Sequence, residues 1–291
     1  MVIFKGSNGV RAGWRAAGFL VLSLGLVLVF EGYLSPLLAG VFHVDVTTLN
    51  AAAMLCNEVS IFIAVVLSTA LCAVLEHRRI DGYGLPLREA FRRTFWEGIA
   101  TGVVLAALVG VLMYAAGGFV ITGFALSGTQ WIVQPLLWAG LMVLVGIAEE
   151  YWFRGYFLQS MARGMGFWPA AVVSTLVFGG LHLTKAHENF IDIFNIMALG
   201  LLLCFALQRT GSLWLAVGFH CAFDFMQFFV IGTRNGGNQP VGTLLHASFP
   251  GPAWVNGGPL GTEASYFMLP AMLLLFGYLA WRYPAPRALD A

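Results

Sequence analysis

The sequence predicts an all-α fold: a polytopic transmembrane helical bundle of about eight spans with both termini cytoplasmic. Three observations lead there. The chain is 59% hydrophobic and only 10% Asp, Glu, Lys and Arg, with a mean hydropathy of +0.82; a water-facing surface normally takes about a quarter charged residues. Its apolar runs reach about 20 residues, the length that crosses a hydrocarbon core. Its basic residues are distributed unevenly between the two sides that those runs define.

The spans fall at roughly 16–40, 52–75, 98–120, 131–157, 168–184, 191–208, 212–231 and 265–281. Lys5, Arg11 and Arg15 precede the first run. It continues through Glu31 towards Leu38, longer than the apolar region of a signal peptide, and reads as a retained first span. Gly82, Gly84 and Pro86 break the chain after the second span. Gly164, Gly166 and Pro169 separate the fourth from the fifth, and Gly211 with Ser212 turns between the sixth and seventh. Residues 232–262 are rich in Gly, Pro and Asn and read as a non-cytoplasmic loop with no need of a core of its own. Helices are expected because they satisfy their own backbone hydrogen bonds in lipid, and the runs lack the two-residue alternation of a membrane barrel.

With the N-terminus inside, thirteen of the fifteen basic residues lie on the cytoplasmic side, and only Lys185 and Arg234 on the other. This matches the positive-inside rule. Residues 1–291 read as a single membrane domain. The net charge of +1 gives no basic footprint for nucleic acid. No internal repeat of the kind that builds many transporters is visible. Cys56, Cys72, Cys204 and Cys221 sit in or beside apolar runs without a CxxC pair and read as buried thiols.

Ionisable residues inside spans are costly and point to function. Three clusters stand out within residues 140–230. In the fourth span Glu149 and Glu150 are adjacent. Glu150 and Arg154 are i,i+4 and can pair, while Glu149 points about 100° away around the helix and is available for chemistry. Phe178 and His182 end the fifth span behind Gly179 and Gly180. His220 and Asp224, also i,i+4, share a face of the seventh span, where the aspartate can orient or ionise the histidine. Lys185, His187 and Glu188 read as interfacial, Asp192 as a weaker candidate, and Asn195 as an interhelical hydrogen-bonding group. At 1.5 Å per residue, Glu149 and His220 lie about 12 Å inside the cytoplasmic edge, Asp224 about 18 Å and His182 about 21 Å, depths compatible with one shared site.

A glutamate and two histidines permit two mechanisms. Glu149 can act as general base on a water that His182 helps to hold, with His220 and Asp224 steadying an oxyanion or feeding the leaving amine. Alternatively Glu149, His182 and His220 can bind a divalent metal such as zinc that activates the water. The cofactor is therefore none or a divalent metal, and spacing alone leaves both open.

Taken together the three clusters resemble the CPBP family of intramembrane proteases, which includes type II CAAX prenyl endopeptidases and bacterial Abi-type proteins. The resemblance rests on Glu149, Glu150 and Arg154 for the first motif, Phe178 and His182 for the second, and His220 and Asp224 for the third. It implies a hydrolase in a multi-pass bacterial inner membrane, cleaving a hydrophobic or lipidated peptide or protein. It assigns Glu149 and His182 to the water and His220 and Asp224 to the transition state, with Glu150, Arg154 and Phe178 completing the motifs; Asn195, outside them, is read as a supporting residue. Two other functions fit a buried polar cluster: a non-catalytic immunity or maturation factor, and a proton-coupled transporter.

Overall fold

A computed structural model describes residues 5–6, 9–184 and 186–287. Lys185, counted above among the basic residues, lies outside the described residues. The described residues form an all-α bundle with seven helices long and apolar enough to cross a membrane and a shorter apolar one, Phe167–His182.

The helices are α1 (Ala12–Val41), α2 (Ala51–Leu75), α3 (Arg93–Ala115), α4 (Gln130–Glu150), α5 (Leu158–Met165), α6 (Phe167–His182), α7 (Phe190–Thr210), α8 (Trp214–Asp224), the short α9 (Ala253–Asn256) and α10 (Met268–Arg282). Two stretches of wider π-helix, Tyr151–Phe157 and Phe225–Ile231, extend α4 and α8. Local chemistry sets the ends. The Asn50 side chain accepts from the amide of Ala53 to start α2, and that of Asn189 accepts from Ile191 and Asp192 to start α7. Gly211, at φ 74°, closes α7 in the left-handed conformation.

Two expected boundaries need correction. The third span lies at 93–115 rather than 98–120, because Val120–Phe124 leaves the helix to form β3, which pairs antiparallel with β4 (Leu245–Ser248). An apolar run of that length reads equally well as helix or strand. The fourth span does not stop at 157 but continues as the π stretch and α5 to Met165. A second small ribbon joins β1 (Lys5–Gly6) to β2 (Gly9–Val10).

Polar contacts divide the bundle into two ends. At one end Glu76 receives Arg15 at 3.2 Å, Arg163 at 3.1 Å, and the hydroxyls of Tyr83 at 3.1 Å and Tyr156 at 2.5 Å. At the same end Glu97 holds Arg93 at 2.8 Å, Arg282 at 3.0 Å and the Tyr283 hydroxyl. At the opposite end the amide of Val241 reaches Leu49 at 2.9 Å, β3 pairs with β4, and Asn195 donates to the carbonyl of Glu263 at 2.7 Å.

The helix that bears His220 is gripped on two sides by glycines. A Cβ placed on Gly98 would lie 2.2 Å from the carbonyl oxygen of Leu215, and one on Gly218 would lie 2.1 Å from that of Phe95. On the α4 side, a Cβ on Gly146 would meet the Cys221 sulfur at 2.7 Å. Backbones this close belong to the small-residue contacts on which membrane helices associate. The four cysteines carry no disulfide; Cys56, Cys204 and Cys221 are buried and Cys72 is intermediate.

Candidate active site

All three clusters line one cavity of ≈ 350 Å³ between α2, α4, α6, α7 and α8. Its centre is a buried ion pair. Arg154 Nη1 donates to Glu150 Oε1 at 2.7 Å, with side-chain exposures of 2% and 0%. Neither charge could remain this dry alone, and the arginine has further support. Its guanidinium lies 4.8 Å from the centre of the Phe178 ring, a cation–π contact. Gly200 sits where a Cβ would come within 3.0 Å of Arg154 Nη2, so a larger residue there would crowd the guanidinium.

Phe178 serves a second neighbour. The centre of its ring lies 4.6 Å from that of the His182 imidazole. His182 Nδ1 meets the carbonyl of Phe178 at 2.9 Å. The carbonyl can only accept, so Nδ1 carries the proton and Nε2 the lone pair in the neutral ring. Of the two glycines expected to bring helices together here, Gly179 abuts Met197, whereas a Cβ on Gly180 would meet nothing within 4 Å.

His220 links the clusters. Its Nδ1 lies 2.9 Å from Glu150 Oε1, and its Nε2 lies 3.7 Å from Glu149 Oε2 and 3.5 Å from Asp224 Oδ2. Glu150 is therefore more than a carboxylate neutralised by arginine: one oxygen accepts from Arg154 and holds the imidazole. Glu150 thus shares with Asp224 the contact to the imidazole that the i,i+4 spacing assigned to Asp224. The aspartate faces the other ring nitrogen, and its Oδ1 accepts from Gln227 Nε2 at 3.1 Å. Glu149 is exposed over 29% of its side chain and Glu150 over none. The two adjacent carboxylates thus differ as their angular separation on the helix requires: one is sealed, and the other is reachable from the cavity.

Both π stretches begin immediately after the carboxylates of the site, at Tyr151 after Glu150 and at Phe225 after Asp224. Such stretches recur at functional sites because the widened turn redirects side chains. The first also holds a break at Gly155, with ψ −113°. Its Phe153 carbonyl is satisfied by the Ser174 hydroxyl at 2.7 Å, and the indole of Trp152 donates to Ser23 at 2.8 Å.

Asn195 does not line the cavity. It fastens the Gly258–Ala264 turn through the carbonyls of Glu263 and Ser265, at 2.7 and 3.3 Å. Gln227 holds the same turn, donating to Glu263 Oε1 at 3.1 Å and accepting from Thr262 Oγ1 at 2.6 Å. The 232–262 loop is thus followed directly by a segment that delivers Glu263 to the cavity wall. Nothing in a Gly- and Pro-rich stretch signals that. Glu31, Asn57 and Glu58 also line the cavity and are absent from the three motifs. Their signal was the one that marks Glu149: polar groups within apolar runs.

Glu149, His182 and His220 do not fit a zinc site as they stand. Among the described residues no group of three or more His, Cys, Asp and Glu side chains is arranged to hold a metal ion.

No curated protein matches the chain. Residues 129–226, which carry all three motifs and the helices that bring Glu149, His182, His220 and Asp224 to one cavity, match the family model described as Type II CAAX prenyl endopeptidase Rce1-like, of the CPBP family.

Proposed function

We propose that this protein is an intramembrane endopeptidase that hydrolyses a peptide bond of a membrane-associated, hydrophobic or lipidated peptide. The observation that carries the proposal is the placement of His220: one nitrogen on the sealed Glu150–Arg154 pair, the other between Glu149 and Asp224. That arrangement supports a proton path. Glu149 removes a proton from water, and the water oxygen attacks the carbonyl carbon. The C–N bond then breaks, and the proton passes to the leaving nitrogen. His220 faces Glu149 through Nε2 and can relay that proton while steadying the oxyanion. Asp224 serves the oxyanion side only when protonated or through His220, since a bare carboxylate repels negative charge. His182 offers its lone pair to the water. General acid–base assistance of this kind is worth about 10²–10⁴ in rate.

The chain acts as a single membrane domain in contact with lipid, crossing eight times with both termini in the cytoplasm. A bacterial inner membrane is the expected location. The basic end fastened by Glu76 and Glu97 supports this orientation. The test is a peptidase assay of purified protein on lipidated peptides. Glu149→Gln is expected to lower turnover at least about 100-fold with the fold intact, and a chelator is expected to leave wild-type cleavage unchanged. Undiminished cleavage by Glu149→Gln would refute the general-base role.

A further inference from the structure

Six carboxylates line the cavity: Glu31, Glu58, Glu149, Glu150, Asp224 and Glu263. The one arginine among the lining residues, Arg154, is spent on Glu150 and is 2% exposed. Amide side chains donate to three of the carboxylates: Asn57 to Glu31 at 3.0 Å, and Gln227 to both Asp224 and Glu263 at 3.1 Å. Glu58 is different. It is 7% exposed, and its buried Oε1 has no hydrogen-bond partner among the described residues. It projects from α2, across the cavity wall from the α4 and α8 residues that the peptidase mechanism uses. A buried carboxylate oxygen without a donor is costly, and such groups inside a membrane bundle mark ligand or proton sites.

We infer that Glu58, with Glu31 beside it, forms a cation subsite that takes an ammonium or guanidinium group of the substrate peptide near the bond to be cut. The inference rests on the peptidase reading and narrows its substrate. An ammonium or guanidinium in the cavity supplies donors to the Glu58 carboxylate, in surroundings where a charge-assisted hydrogen bond is strong. Six lining carboxylates, set against two histidines and one arginine already paired with Glu150, also disfavour a free C-terminal carboxylate. The substrate is therefore a peptide with a lysine or arginine side chain, or a free α-amino group, close to the cleaved bond, rather than one presented by its C-terminal carboxylate.

The test uses stearoylated peptides and the full-length protein in lipid nanodiscs. Peptides identical except for lysine, norleucine or glutamate are compared at each position flanking the cleaved bond. Acetylated and free N-termini separate a side-chain cation from an α-amino group, and amidated and free C-termini test the carboxylate. In wild type, the cationic peptide is expected to exceed its norleucine or acetylated counterpart in kcat/KM by about tenfold or more. Glu58→Gln is expected to shrink that ratio to about twofold or less, and Glu58→Asp to retain it. Equal kcat/KM for cationic and neutral peptides in wild type, a ratio unchanged in Glu58→Gln, or a preference for the free C-terminal acid would each overturn the inference. Binding of the same peptides to Glu149→Gln, read by fluorescence polarisation, keeps the two proposals apart. If wild type cleaves nothing, the peptidase reading fails, and the lysine-to-norleucine ratio of Kd still decides the subsite. If Glu58→Gln does not fold, the wild-type ratios decide it.

Discussion

Replacing Arg154 with methionine would strand Glu150 at full burial with only His220 against it. Breaking one side of a buried ion pair costs about 3–5 kcal/mol, so Arg154→Met is expected to lower the unfolding temperature in detergent far more than any loss of contact area would. The double variant Glu150→Gln/Arg154→Met removes both charges and is expected to recover part of that loss. If the single and double variants are equally destabilised, the pair does not stabilise as described. Part of this was legible in the sequence. Spacing of i,i+4 predicts that Glu150 and Arg154 pair, and their adjacency in an apolar run predicts that they are buried. The grip of Glu150 on His220 spans 70 positions and leaves no periodic trace. Glu58 and Glu31 carried the same mark as Glu149, an acid inside an apolar helix. Glu263 carried none, because it reaches the cavity by way of a turn.

The π stretches and the glycine contacts act at the scale of whole helices. Gly218 lies where a methyl group would come within 2.1 Å of the Phe95 carbonyl. Gly218→Ala must therefore push α8 from α3, and α8 carries His220 and Asp224. The expected cost is about 1–3 kcal/mol, with turnover falling alongside stability. Gly140→Ala, on α4 where an added Cβ meets nothing within 4 Å, is expected to change stability by about 0.5 kcal/mol or less. Thermal unfolding of both variants checks the contrast; equal behaviour would mean that the close approach does not matter. Most helices were readable because long apolar runs with polar ends have one economical fold in lipid. One exception was the C-terminal limit of α3, where Val120–Phe124 is apolar enough to extend a helix and instead pairs with Leu245–Ser248. Strand pairing across more than a hundred residues depends on where the partner ends up, and a local reading does not contain that.

At the scale of the molecule, the two ends differ in charge, and the proposed orientation turns on that difference. Arg88 lies at the basic end, with its side chain 76% exposed. Ser248 is an exposed residue of β4 at the other. With Cys72 changed to serine to silence the one cysteine that is not buried, a membrane-impermeant maleimide should label Ser248→Cys on intact cells and Arg88→Cys only after lysis. The reverse pattern would invert the topology. The cavity joins the two halves of the chain: α1 and α2 supply Glu31, Asn57 and Glu58, and the 129–226 segment supplies the three motifs. The family match covers that segment and leaves the α1–α2 wall outside it.

The proposal as a whole stands on one chemical event, the transfer of a water oxygen to a peptide carbonyl with Glu149 taking the proton. Cleavage in water enriched in heavy oxygen, followed by mass spectrometry of both product peptides, tests it most directly. Wild type should place one heavy oxygen in the new carboxyl group of the N-terminal product, and folded Glu149→Gln should yield no labelled product above background. Product without the label, or label incorporated at the wild-type rate by Glu149→Gln, would contradict it.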